Sequence, residues 1–139
     1  MPRTEDEQVH TERLDRNYRN RQAQVFLEIE REILGCDYGG TSWTDREEAE
    51  RFADLLQLGP GVRALELGAG SGWPGLYLAG LTGCGATLSD LPRDGLRIAA
   101  ARAAAEGLAE SCHAVIADGA SLPFAASRFD AIYHCDVLC

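Results

Sequence analysis

The stretch from Val62 to Gly75 constrains the fold more than any other. Val62 to Leu67 is a short apolar run, and Gly68, Gly70, Gly72 and Gly75 follow it closely. Such a run bounded by glycines reads as a buried strand. Glycine has no Cβ, so the backbone after the strand can turn sharply and admit a ligand at close range. A helix from about Trp73 to Leu81 comes next, with Pro74 near its start, where a missing N–H costs nothing. Strand, glycine loop and helix in that order set free N–H groups and the positive end of a helix dipole beside the loop. The loop has two registers. Gly68, Gly70 and Gly72 form G-x-G-x-G, while Gly70, Gly72 and Gly75 form G-x-G-x-x-G, the pattern of a dinucleotide-binding turn. In that second pattern the first glycine normally follows directly on the strand, yet Gly70 lies three residues past Leu67. The first register puts Gly68 at the strand end, with Glu66 two residues before it. On this reading Gly75 serves helix–strand packing.

The alternation continues downstream. Ala86 to Ser89 reads as a second strand ending at Asp90, and Asp94 to Glu106 as an Ala-rich helix closed by Gly107. Ala114 to Ala117 reads as a third strand ending at Asp118, and Phe129 to Cys135 as a fourth. Short apolar strands alternating with helices predict an α/β fold: a doubly wound, Rossmann-like parallel sheet with helices on both faces. Ligands of such sheets bind beyond the carboxyl ends of the strands, where Glu66, Asp90 and Asp118 fall. A carboxylate at Asp90 can accept two hydrogen bonds from the 2′- and 3′-hydroxyls of a ribose and would repel a 2′-phosphate. Both glycine registers expect an acidic residue about 20 positions on, so Asp90 does not choose between them.

Upstream, the residues to about Gln24 are densely charged with mixed signs. They begin one long helix whose apolar side is Leu14, Tyr18, Val25, Ile29 and Ile33 and which Gly35 ends. Tyr38 to Ser42 is a flexible connector. Thr44 and Glu47 have the spacing of a capping box. The helix they open carries Ala49, Phe52, Leu55 and Leu56 on one face, and Gly59-Pro60-Gly61 stops it. The organisation expected is an N-terminal helical extension, 1–43, and a core, 44–139.

The 139 residues suit one domain, and 45% hydrophobic with 25% charged residues is an ordinary globular composition. A net charge of −9 disfavours nucleic acid as a partner. No apolar run is long enough to span a membrane, and the polar N-terminus has no signal core. Cys36, Cys84, Cys112, Cys135 and Cys139 are scattered without a C-x-x-C pair, which predicts reduced thiols in the cytoplasm and no metal site.

Four stretches then act together: ELGAGSG at 66–72, TLSDLP at 87–92, IADGASLPF at 116–124 and SRFDAIYHCDVL at 127–138. In this order and spacing they resemble the class I S-adenosylmethionine-dependent methyltransferases, from about Thr44 onward. The resemblance implies S-adenosylmethionine as cofactor and methyl transfer to a small-molecule acceptor. Glu66 would then support the loop and, directly or through water, the methionine ammonium. Gly68, Ala69, Gly70 and Gly72 would form the cofactor loop. Asp90 would hold the ribose, Leu91 would pack on the adenine, and Asp118 with Gly119 would meet the exocyclic amine. His134 and Cys135 would line the methionine end. Tyr18, Tyr38 and Gly39 are the upstream candidates to close the site. His134 and Asp136 stand where a general base could lie, with neither assigned. The remaining candidates read as structural: Asp130 as a turn or cap, Trp73 as a wall, His10 and His113 as surface residues, and Ser71 outside the geometry of a nucleophile elbow.

Members of that family usually continue with three more strands. A chain ending at Cys139 would leave the fourth strand as an edge open to self-association. The alternatives kept open are a cofactor-binding or interaction module without activity and, in a different class, an NAD-dependent oxidoreductase.

Overall fold

A computed structural model describes residues 2–137. Leu138 and Cys139 lie outside the described residues. The elements run α1 (Glu5–Asn20), α2 (Gln24–Leu34), α3 (Arg46–Leu55), β1 (Arg63–Leu67), α4 (Gly75–Thr82), β2 (Gly85–Asp90), α5 (Arg93–Ala105), β3 (Cys112–Ile116) and β4 (Ala131–His134). The strands pair in parallel in the order β3-β2-β1-β4, with Leu65 opposite Thr87 on one side and Ile132 on the other. This is the α/β, Rossmann-like arrangement that the alternating pattern predicts.

The core lies between the sheet and the helices. Ala49 and Ala53 of α3, Leu76 and Ala79 of α4, and Ala99 and Ala103 of α5 are buried with Ala64, Ala86, Leu88 and Tyr133 of the strands. Small residues on the helices let them lie close to the sheet. β4 alternates, with Ala131 and Tyr133 buried and Ile132 and His134 exposed. The Tyr133 ring stacks on Phe52 at 6.5 Å between centroids. Among the described strands β4 is an edge, with one face covered and Ile132 55% exposed on the other. The cation nearest its start serves structure. Arg63 donates from its backbone N–H and its guanidinium to Asp130 at 2.9 to 3.2 Å, which fixes the entry to β4.

Several boundaries differ from expectation, each for a local reason. The single N-terminal helix is two, since Arg21 caps α1 and a turn intervenes before α2. The irregular gap before Val25 in the apolar pattern marks that break. Val25, Ile29 and Ile33 do not continue a buried stripe but are exposed, while Leu27 and Leu34 turn inward. Gly35 does end α2, at φ 73°. The capping box at α3 is shifted by one residue. Asp45, not Thr44, accepts the Glu48 N–H, and Glu48, not Glu47, reaches back. Asp and Thr are both good caps, and Thr44 is committed elsewhere, to a hydrogen bond with Asp136. Leu55 lies off the packed face and is 76% exposed, and Ala53 takes its place. The chain leaves α3 at Leu56 and Gln57, before Gly59. Finally β3 starts at Cys112, two residues earlier than its apolar run suggests, because it pairs with β2 from Ala86.

Among the described residues no helix is long and apolar enough to cross a membrane.

Candidate cofactor cavity

The end of β1 and the glycine loop form a floor. Gly68 and Ala69 both donate their N–H to the Ser89 carbonyl, at 2.8 and 3.0 Å, which binds the loop to the end of β2. Gly70 donates its N–H to Asp90 Oδ2 at 2.8 Å, and Leu91 donates to Asp90 Oδ1 at 2.8 Å. Asp90 therefore anchors the loop as well as facing the space above it. Burial raises its carboxyl above the ordinary value, with Asp15 adding to this and the two N–H bonds opposing it. Gly70 needs its glycine twice over. Its φ is 52°, and a Cβ there would strike the Tyr18 ring.

Glu66 lies beneath this floor. It is 1% exposed, and neither carboxylate oxygen has a hydrogen-bond partner among the described residues. Burial pushes its pKa up to about 8. The Gly75 N–H offsets part of that effect without reaching hydrogen-bond geometry. A Cβ on Gly75 would collide with the Glu66 carboxylate and with Leu88. Gly75 is thus the packing glycine expected, and its packing partner is the buried acid.

Above the floor is a cavity of about 410 Å³. Asp90, Leu91 and Pro92 bound it beyond β2, Gly68, Ala69 and Ser71 from below, and Cys135, Asp136 and Val137 beyond β4. The roof comes from upstream: His10, Thr11, Leu14 and Tyr18 of α1, and Gly40, Thr41 and Ser42 of the connector. Tyr18 is 5% exposed and its hydroxyl pairs with Thr41 Oγ1 at 3.3 Å. It wedges between two small residues, since a Cβ on Gly95 would also meet the ring. Trp73 is a wall, as expected, and donates its indole N–H to the Thr44 carbonyl at 2.8 Å. Ser71 is buried, with its hydroxyl unpartnered among the described residues.

The residues singled out from sequence divide accordingly. Gly68, Ala69, Asp90, Leu91, Cys135 and Tyr18 line the cavity, while Gly70 is outside the lining and lies against Tyr18. Gly72 sits deeper, at φ 104° against Leu76. Asp118 and Gly119 are exposed on the loop after β3, outside the lining, and Asp118 Oδ1 accepts the Ala120 N–H in a turn. His134 ends β4 exposed and outside the lining. Cys135 is buried, and burial pushes its thiol up to about 12, so it contributes a small apolar surface. Tyr38 and Gly39 stand behind the cavity. Tyr38 packs at 5.3 Å from Trp73 with the Arg102 guanidinium over its ring, and Gly39 donates its N–H to Glu30 at 2.7 Å. His10, read as a bland surface residue, is exposed but lies on the cavity roof with Thr11. The hint of that in the chain is the helix face it shares with Leu14 and Tyr18, one and two turns on. Among the described residues no cluster of His, Cys, Asp and Glu is set to hold a metal ion.

Residues 64–139 match the family model described as a methyltransferase domain, and the chain belongs to that family. A curated relative, 24-methylenesterol C-methyltransferase 2 of Oryza sativa subsp. japonica, is 33% identical over 94 residues, 68% of this chain and 26% of that protein. The chain thus spans about a quarter of the length of this relative. A solved SAM-dependent methyltransferase from Thiobacillus denitrificans, in complex with S-adenosyl-L-homocysteine, is 28% identical with a TM-score of 0.57, covering 64% of this chain and 36% of that one. The solved [4+2]-cyclase SpnF is 32% identical with a TM-score of 0.55, covering 66% and 35%.

Proposed function

We propose that this chain binds S-adenosylmethionine in the cavity above the glycine loop, and that the protein it represents transfers the methyl group to a small-molecule acceptor. The observation that carries this is Asp90. Its carboxylate anchors the loop through Gly70 and lines the cavity beside Leu91. The residues present suit the cofactor. The volume is in the range of small-molecule sites. Asp90 offers acceptor lone pairs to two ribose hydroxyls. Leu91, Pro92 and Leu14 offer apolar surface to a flat ring at that end.

Glu66 supports the loop from below and reaches the ligand only through the loop or a water. Gly68 and Ala69 admit the chain of the cofactor, with Gly70 and Gly72 setting the turn. Cys135 borders the methionine end, and His134 stands at its outer margin. Asp118 keeps lone pairs beyond its bond to Ala120, so the adenine amine remains within its chemistry, with Gly119 beside it. When bound, S-adenosylmethionine supplies a methyl group on a positively charged sulfur, an activated leaving group. The protein's share is to orient the reactants and exclude water. The roof residues of α1 and the connector provide that exclusion.

The likeness to a solved cyclase means that the scaffold does not dictate the reaction. Binding without methyl transfer is therefore the second reading. Calorimetric titration with S-adenosylhomocysteine, S-adenosylmethionine and NAD tests the first. Binding of both sulfur ligands is expected, with Asp90→Ala weakening it at least tenfold, on the order of one charge-assisted hydrogen bond. Binding of NAD alone sinks the cofactor reading. Binding of the sulfur ligands, with no methyl transfer across a panel of small acceptors, supports the second reading.

A further inference from the structure

The connector between α2 and α3 crosses the C-terminal end of β4, and one side chain holds it there. Asp136 lies two residues past β4 with φ 57°, in the left-handed region. Asp tolerates that region better than most residues, yet it persists only where surrounding interactions enforce it. Those interactions are specific. Asp136 Oδ2 accepts the Ser42 hydroxyl at 2.6 Å, the Trp43 N–H at 2.9 Å and the Thr44 hydroxyl at 3.3 Å. Ser42 Oγ in turn accepts the Thr44 N–H at 3.0 Å. Hydrogen bonds to an ionised carboxylate are shorter and stronger than neutral ones. These donors, Ser42 first, hold the Asp136 carboxyl below the usual carboxylate range.

The segment it anchors is the cavity wall. Gly40, Thr41 and Ser42 line the cavity, and Thr41 is the partner of the Tyr18 hydroxyl. On its other side Val137 rests on Gly68, where a Cβ would strike the valine methyl. One carboxylate therefore joins the end of β4, the connector and, through Thr41, the aromatic wedge over the glycine loop.

We propose that Asp136 is a positioning residue for the cofactor cavity: it pins the Gly40–Thr44 connector to the end of β4 and so sets the methionine-side wall and the placement of Tyr18. This assigns it a role other than general base. A base needs a carboxylate directed to the acceptor with a pKa near the working pH, whereas this one is turned to three donors of its own chain. The proposal rests on the cofactor reading above.

The test combines calorimetry with S-adenosylhomocysteine and hydrogen exchange, on the full chain and four variants: Asp136→Ala, Asp136→Asn, Ser42→Ala and the Asp136→Ala/Ser42→Ala pair. Asp136→Ala is expected to weaken affinity roughly tenfold, in the range of coupled hydrogen-bond networks. Asp136→Asn should recover part of it, because its amide oxygen still accepts the Trp43 N–H. Losses from Asp136→Ala and Ser42→Ala should be less than additive. The Trp43 and Thr44 amides should exchange faster in Asp136→Ala, with β1 and β2 amides unchanged. Unchanged affinity in Asp136→Ala overturns the proposal, as do additive losses with no recovery by Asn. If Asp136→Ala does not fold, Asp136→Asn and Ser42→Ala carry the same test. If the wild-type chain binds no S-adenosylhomocysteine, the cofactor reading fails instead, and unchanged exchange at Trp43 and Thr44 would still overturn the pinning.

Discussion

The floor and the roof of the cavity are built by different means. The floor is backbone and glycine: Gly68, Gly70 and Gly72 all have positive φ, and the space a side chain would need is already taken. The roof is side chains. Tyr18 is the one buried residue of α1. The helix and the turn that follows it also carry polar links: Arg19 to Asp94, Asp15 to the Asp94 N–H, Arg21 to the Gly40 carbonyl and Gln22 to the Tyr38 carbonyl. The difference assigns the two parts distinct energetic roles. Changes to the floor displace packed atoms and should cost global stability. Changes to the roof remove links between segments that lie over the sheet, and should cost ligand affinity while the sheet stays intact.

The largest effect should come from Gly75→Ala. Its Cβ has no room between the Glu66 carboxylate and Leu88, so these buried side chains or α4 itself must shift. We expect a loss of about 1–3 kcal/mol in denaturant unfolding, the usual cost of overpacking. A neutral result would show that the floor can relax and would blur the contrast with the roof.

Next is Glu66→Gln, which sharpens the electrostatics of the same floor. The unfolded chain titrates Glu66 near the ordinary glutamate value, and the folded chain near about 8. The folded state holds the proton more tightly. The group's contribution is therefore fully present below the ordinary value and is lost as pH rises through about 8. At about pH 9 the wild type carries a buried, unpaired carboxylate and the variant does not, so the variant should be more stable by about 1–3 kcal/mol. Below about pH 4 the advantage should vanish, since the acid is then neutral in the folded and the unfolded chain alike. Parallel pH profiles for the two proteins would mean that water or another group already solvates Glu66.

These two predictions concern the part most readable in the sequence. The register of the glycine loop, Glu66 before it and Gly75 as a packing residue all follow from local backbone rules, which need no knowledge of distant neighbours. The roof is hidden for the converse reason. Val25, Ile29 and Ile33 have the spacing of a packed stripe, but periodicity reveals a face and not what covers it. Thr44 and Asp45 are equally good caps until Asp136, some ninety residues away, engages Thr44. His10 and Thr11 reach the cavity only because α1 folds back over the end of β2. At Asp118 the strand-end rule puts a residue near the site in sequence terms, while a local turn with Ala120 sets it outside the cavity lining.

Tyr18→Ala tests the roof directly. It should weaken S-adenosylhomocysteine affinity roughly tenfold, the scale expected for removing a buried aromatic ring beside the ligand. Amide exchange in β1 and β2 should be unchanged. Tyr18→Phe, which keeps the ring and removes only the hydroxyl paired with Thr41, should cost about 1 kcal/mol or less of binding energy. If Tyr18→Ala instead melts the sheet, the roof is part of the core and the division fails.

The smallest effect belongs to Asp15, and it is where floor and roof meet. Pro92 is the N-cap of α5, and its side chain has no group that can accept a hydrogen bond. The first turn of the helix would leave the Asp94 N–H without a partner, and Asp15 of α1 accepts it at 2.7 Å. A carboxylate there also faces the positive end of the helix dipole. The returning pair from Arg19 to Asp94 adds less, because the Arg19 side chain is 56% exposed. Asp15→Ala should therefore cost about 1 kcal/mol, the value of an N-cap. Asp15→Asn should restore most of it, since an amide oxygen can still accept. Removing Asp15 also removes a charge that raises the Asp90 carboxyl, so Asp90 should titrate lower in the Ala variant. Nuclear magnetic resonance titration of the Asp90 carboxyl reads that shift independently of stability. A shift without loss of stability would mean that Asp15 acts on the floor through its field alone and that α1 is held by Tyr18.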